Sequence, residues 1–226
     1  MTLSQLIEAF RPDGDASRYF GVFPAIVTDI VDPEKLGRIQ IKFPWLGADG
    51  DSVRAWATLL SPYADDDQGF EVLPAVDTQV VVAFEAGDLR RPYIIGSAWN
   101  GKEAMPEAPA APNNKRLIKT RAGSLLEFDD TDGASKVTLS MKSGHKLVLD
   151  DAAKEVKFEH SNGCVIKFDG SGNATITAKG SMTINAPSGL TVNSPTSTFS
   201  GAIVCQPLTA TAITSPLYSP GVGNVW

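Results

Sequence analysis

Charge is what the last quarter of this 226-residue sequence lacks: from residue 171 to residue 226 the only charged side chain is Lys179. Cysteine is nearly absent too. Cys164 and Cys205 stand at no spacing that suits a metal site or a redox pair, which excludes a disulfide framework and a Cys-rich zinc module. There are two histidines, His145 and His160, and no positioned acid, base and nucleophile set of the kind that hydrolysis needs. No apolar run approaches the roughly 20 residues that span a bilayer. The N-terminus has no basic region followed by an apolar core and a cleavage site, which predicts a chain made and held in the cytoplasm. Basic surplus is missing as well: residues 1–100 carry a net −7 and the remainder +1, a balance that disfavours phosphate-driven binding of nucleic acid.

What the sequence does have is a repeat. Gly123-Ser-Leu-Leu126-Glu-Phe128-Asp129, Gly144-His-Lys-Leu147-Val-Leu149-Asp150 and Gly163-Cys-Val-Ile166-Lys-Phe168-Asp169 are copies of one phrase, with their glycines 21 and 19 residues apart. A fixed period of this size marks a solenoid or a fibre. Inside each phrase, and in the intervening Val137, Leu139, Met141 and Val156, Phe158, apolar residues alternate with polar ones, the period of a strand buried on one face. Each unit is therefore two short strands, bounded by a Gly that permits unusual backbone angles and an Asp that suits a turn. After residue 170 the units shorten to 8 or 9 residues, with Ile176, Ile184 and Val192 at the inward positions.

A Ser/Thr-rich disordered tail or stalk would share this composition, but not the alternation. A single file of strands leaves one apolar face and two open edges. Either one chain coils into a solenoid or several identical chains wind together, and two strands per unit with few inward residues favour three intertwined chains. In a cyclic trimer every side chain near the axis meets two copies of itself, so neutral residues there avoid like-charge repulsion. The trimer core so defined is Leu126, Phe128, Val137, Leu139, Leu147, Leu149, Val156, Phe158, Ile166, Phe168, Ile176, Ile184 and Val192.

In the N-terminal part, Leu3, Leu6, Ile7 and Phe10 fall at helical spacing ahead of Pro12 and predict a short amphipathic helix. Strand patterns follow at 22–30, 37–43, 55–60, 78–84 and 93–97, separated by turn residues. Five strands and no convincing helix fit a small barrel of the oligonucleotide/oligosaccharide-binding (OB) type. Leu36-Gly37-Arg38-Ile39-Gln40-Ile41-Lys42-Phe43-Pro44-Trp45, Arg54-Ala55-Trp56-Ala57, Gly69-Phe70-Glu71-Val72-Leu73-Pro74, Val80-Val81-Val82-Ala83-Phe84-Glu85 and Gly87-Asp88-Leu89-Arg90-Arg91-Pro92-Tyr93 continue through Lys119-Thr120-Arg121-Ala122-Gly123 into the repeat. This series resembles the OB domain of central spike proteins: those of contractile phage tails, such as baseplate assembly protein V, and the VgrG spikes of type VI secretion.

The resemblance implies an all-β protein with an N-terminal OB-fold barrel, followed by an intertwined trimeric, triple-stranded β-helix needle. The corresponding division is an arm at 1–18, a barrel at 19–100, a linker at 101–116, a β-helix at 117–215 and a tip at 216–226. It implies a structural, non-enzymatic homotrimer with no cofactor, assembled in the bacterial cytoplasm and carried at the baseplate of a virion or related particle, where it punctures a target cell envelope. Only about 20 residues precede the barrel, so the baseplate hub is expected to be a separate polypeptide, contacted by Leu3, Leu6, Ile7 and Phe10. A small PAAR-type protein is an expected partner for the far end, at Val222, Val225 and Trp226. The competing readings are a receptor-binding fibre and a spike-associated peptidoglycan hydrolase. His145 and His160 share the parity of the inward residues, so a trimer would gather imidazoles near its axis, more simply as rim residues than as metal ligands. Asp65, Asp66 and Asp67 read as a solvated loop, and Phe43, Trp45 and Trp56 as core rather than as base-stacking platforms. Cys164 shares the inward parity of Ile166 and Phe168.

Overall fold

The computed structural model describes residues 18–47, 53–206, 208–212 and 214. Leu3, Leu6, Ile7 and Phe10, and likewise Val222, Val225 and Trp226, lie outside the described residues. Among the described residues no helix is long and apolar enough to cross a membrane.

The first unit is a closed barrel. Its strands are β1 (Phe23–Asp29), β2 (Arg38–Lys42) and β3 (Arg54–Leu59), then, after a hairpin of β4 (Ala64–Asp65) and β5 (Gln68–Gly69), β6 (Gln79–Phe84) and β7 (Pro92–Ser97). The order around the barrel is β1-β2-β3-β7-β6, with β3 and β7 parallel and the other pairs antiparallel, which is the OB arrangement. Each barrel strand falls within one residue of its sequence-predicted span, because alternation is strict where one face is fully buried. Ala25, Val27, Ile39, Ile41, Phe43, Ala57, Val80, Val82 and Ile94 are almost wholly enclosed. At one end Tyr19, Phe23, Trp45 and Phe84 close over this core, with Phe23 and Trp45 stacked at 4.8 Å. At the other end Asp32 holds the β1–β2 loop. Its carboxylate accepts the backbone N–H groups of Glu34, Leu36 and Arg38 and a bidentate pair from the Arg38 guanidinium.

The second unit is a seven-stranded antiparallel meander: β8 (Lys115–Lys119), β9 (Leu125–Asp129), β10 (Lys136–Ser140), β11 (Lys146–Asp150), β12 (Glu155–Glu159), β13 (Val165–Phe168) and β14 (Ala174–Thr177). The two-strand repeat is present, and its punctuation has the expected cause. Gly144 (φ 97°) and Gly163 (φ 88°) sit next to last in tight turns, where their N–H donates to the carbonyl three residues back. At the opposite margin Asp129, Asp150 and Asp169 accept backbone N–H groups of the turns that follow them, from Thr131, Ala153 and Ser171.

One expectation is refined. The file of strands was expected to have its open edges met by other copies; in the chain, each strand from β9 to β13 is paired on both sides by its sequence neighbours, and only β8 and β14 keep a free edge. The turns are tight enough for the chain to fold back on itself at every unit. Of the shortened units after residue 170, the first supplies β14; in the single chain no strand is assigned from residue 178 to 206, where Ile184 and Val192 lie on irregular, exposed chain. A unit of 8 or 9 residues is too short to hold two strands and a turn.

Candidate functional surface

Register makes one face of the meander apolar along nearly its whole length, broken at β8 by Arg116 opposite Phe128. In an antiparallel pair, directly opposed residues share a face. Ile118 opposes Leu126, Leu126 opposes Leu139, and the line continues through Leu147, Phe158, Ile166 and Ile176. A second line beside it runs Phe128, Val137, Leu149, Val156, Phe168 and Ala174. Eleven of the thirteen residues assigned to the trimer core therefore lie in two straight columns on one surface. Ile118 and Ala174 complete the columns; neither was singled out from sequence, although register with Leu126 and Phe168 identifies both once the pairing is known.

The opposite face is polar along its middle line, with Glu127, Thr138, Val148, Lys157 and Lys167 in register. The two lysines opposed there are each served by an acid, Lys157 by Glu159 at 3.4 Å and Lys167 by Glu155 at 3.3 Å. Lys115 bridges Glu107 and Glu127, and the Glu107 hydrogen bond raises its pKa. Hydrogen bonds from Thr131 and from Asn173 hold the Asp129 and Asp169 carboxyls below the usual carboxylate range.

The apolar face is uncovered in the single chain: Phe158 is 48% exposed, Phe168 50% and Ile176 58%. A contiguous apolar surface of this kind marks an interaction site. Burying a Leu, Ile or Phe fully gains about 1.5–3 kcal/mol, so side chains left half-exposed still hold a large part of that gain in reserve.

At one margin of this face the hairpin turns bring His145 and His160 together, with ring centroids 4.3 Å apart. Among the described residues no group of three or more His, Cys, Asp or Glu side chains is arranged to hold a metal. Cys164 is half-buried beside them and its sulfur accepts the Lys179 N–H. In the barrel, Phe43 is fully buried, and Trp45 packs on the core while its Nε1–H donates to the Pro24 carbonyl. The Arg38 guanidinium lies 5.9 Å from the Trp56 ring. Asp65, Asp66 and Asp67 are exposed in the β4–β5 hairpin, as a solvated loop would be. The sequence reading missed the Asp32–Arg38 knot; a six-residue spacing around Pro33 and Gly37 was its only sign.

Residues 23–99 match the family model of the type VI secretion system/phage-baseplate injector OB domain, which is the barrel described above. The chain is 24% identical over 140 residues to the type VI secretion system spike protein VgrG3 of Vibrio cholerae, an alignment that covers 60% of this chain and 13% of that protein. It is 23% identical over 154 residues to the spike protein VgrG4b of Pseudomonas aeruginosa, covering 65% and 18%. It is 25% identical over 149 residues to the actin cross-linking toxin VgrG1 of Vibrio cholerae, covering 59% and 14%. All three alignments are longer than the stretch from residue 1 to residue 99, so the similarity runs past the barrel into the meander. The chain spans less than a fifth of the length of each of these relatives. It is VgrG-like over the part it shares with them.

Proposed function

We propose that this injector OB domain, joined to a sheet with one bare apolar face, forms the central spike of a contractile injection apparatus. Three copies close their apolar columns on a common axis, and the chain after residue 177 pairs only between copies, as a triple-stranded needle. The barrels carry the needle on a separate trimeric hub at the baseplate, and the particle's contraction drives the tip through a target envelope. The work is mechanical and needs no catalytic group.

The observation that carries this reading is the pair of in-register columns. One crosses all seven strands and the other the six from β9 to β14, and their side chains are left largely exposed in the single chain. Threefold closure also accounts for the scarcity of charge after residue 170, where the axis would otherwise gather like charges. Multi-angle light scattering on the purified protein tests it: the expected mass is three times the chain's 24.0 kDa. A folded monomer at micromolar concentration would overturn it.

A further inference from the structure

Two turns at one margin of the apolar face, residues 141–145 and 160–164, are built alike. Each closes with the N–H of its glycine donating to Met141 O or His160 O, at 2.9 and 2.8 Å. They set Met141, His145, His160 and Cys164 in a row that extends the apolar columns. The two imidazoles are tilted by 51° with centroids 4.3 Å apart. Both rings are already engaged through Nδ1: that of His145 accepts the Ser161 N–H at 3.3 Å, and that of His160 accepts the Asn162 N–H at 3.2 Å.

These bonds fix what each ring does with a proton. A ring whose Nδ1 accepts carries its single hydrogen on Nε2. A second proton has only Nδ1 to go to, where it would point at the N–H already there. Protonating both rings would also place two positive charges in contact on an apolar surface, and their neighbours give little relief. Glu159 is the one carboxylate among the described residues lining this groove, and its Oε2 lies 3.4 Å from Lys157 Nζ. The other charged neighbours are cations. Lys146 lines the same groove, Lys142 lies in the 141–145 turn beside Gly123, and Lys179 runs alongside Gly163. The Cys164 thiol takes the Lys179 N–H. The same bond polarity argues against a metal, since a metal on Nε2 needs the hydrogen on Nδ1.

We infer that His145 and His160 form a proton-operated joint in the assembled spike. Neutral, the two rings in contact seal the margin of the apolar face against the neighbouring chain; protonated, they repel each other and open that margin. Three copies bring six imidazoles together, so one transition acts on all three interfaces. The inference rests on the trimeric reading above. Its sign follows from the geometry: with Nδ1 of each ring already accepting an N–H and the rings in contact, added protons break those bonds and part the rings, so acid opens the margin rather than closing it.

The test is a thermal melt of the full chain at pH 7.5 and at pH 5.0, for the wild type and for the double variant His145→Gln/His160→Gln, with light scattering at pH 7.5. The expected result is a trimer at pH 7.5 whose melting temperature drops by at least about 5 °C more in the wild type than in the double variant. Parallel drops from a trimer would overturn the joint and leave the spike standing, whereas a monomer at pH 7.5 would overturn both. Should the double variant not fold, His160→Gln alone is melted in the same way. It is expected to remove most of the difference, because the remaining ring has lost the imidazole it touches in its own chain, and an unchanged drop would overturn the joint.

Discussion

Asp32 does for its loop what a folded element would otherwise do. The carboxylate is buried, faces three backbone N–H groups and a guanidinium, and the Arg38 hydrogen bond holds its pKa well below the usual carboxylate range. A depressed carboxylate stabilises the fold above its unfolded value of about 3.9 and loses that contribution as pH falls toward its folded value. Asp88, brought down to about 2 by Arg90, adds to the same window on a more exposed site. Asp32→Asn is therefore expected to lower the barrel's melting midpoint at pH 7 and to flatten its decline between pH 4 and pH 2, as followed by circular dichroism. An unchanged acid profile would remove Asp32 from the account. Gly144 gives a second test at this scale. At φ 97° a side chain is strained, and a Cβ there would meet the Ser161 Cβ at 3.4 Å. Gly144→Ala is expected to cost about 1–3 kcal/mol in the meander, against about zero for an alanine at Gly96, which has no left-handed backbone and open space around it.

At the scale of the strand, what was legible in the sequence was the side each residue faces. Leu147, Leu149, Phe158 and Ile166 alternate with lysines, Val148 and Glu159, and that period alone puts them on one surface. The identity of each strand's partner was not legible. Hydrophobic alternation is the same whether a strand's edge is met by its own chain or by another. The deciding fact is the geometry of the turns at Gly144 and Gly163, whose left-handed glycines fold the chain back on itself. The barrel was easier: closed sheets bury one face completely, so Val80 and Val82 or Ile39 and Ile41 admit one placement. The two faces of the meander make opposite predictions from adjacent residues. Leu147→Glu puts three carboxylates into the proposed core, each opposite a Phe158, and is expected to abolish the trimer by sedimentation. Val148→Glu sits on the polar face opposite Lys157 and is expected to leave the mass trimeric and the stability within about 0.5 kcal/mol of wild type. Equal effects from the two would mean that the apolar face is not the interface.

For the whole molecule, the two units answer to different balances. The barrel closes on itself, buries its own core and leaves no sheet edge wanting a partner, so nothing in it depends on other copies. In the trimer proposed above, the meander and the chain after it bury their apolar face by association, which makes their folding third order in protein. Unfolding of the full chain is therefore expected in two transitions. The first, reported by the aromatic cluster of Tyr19, Phe23, Trp45 and Phe84, should have a midpoint independent of concentration. The second, reported by far-ultraviolet β-sheet signal, should move down on dilution, since each tenfold dilution weakens three-chain assembly by about 2.7 kcal/mol per trimer. A denaturant series at three protein concentrations separates them. If both midpoints held still, the sheet would be stable within one chain and its bare face would need a different occupant. If both moved together, the barrels would be part of the same cooperative interface, and the spike would be gripped at its base as well as along its length.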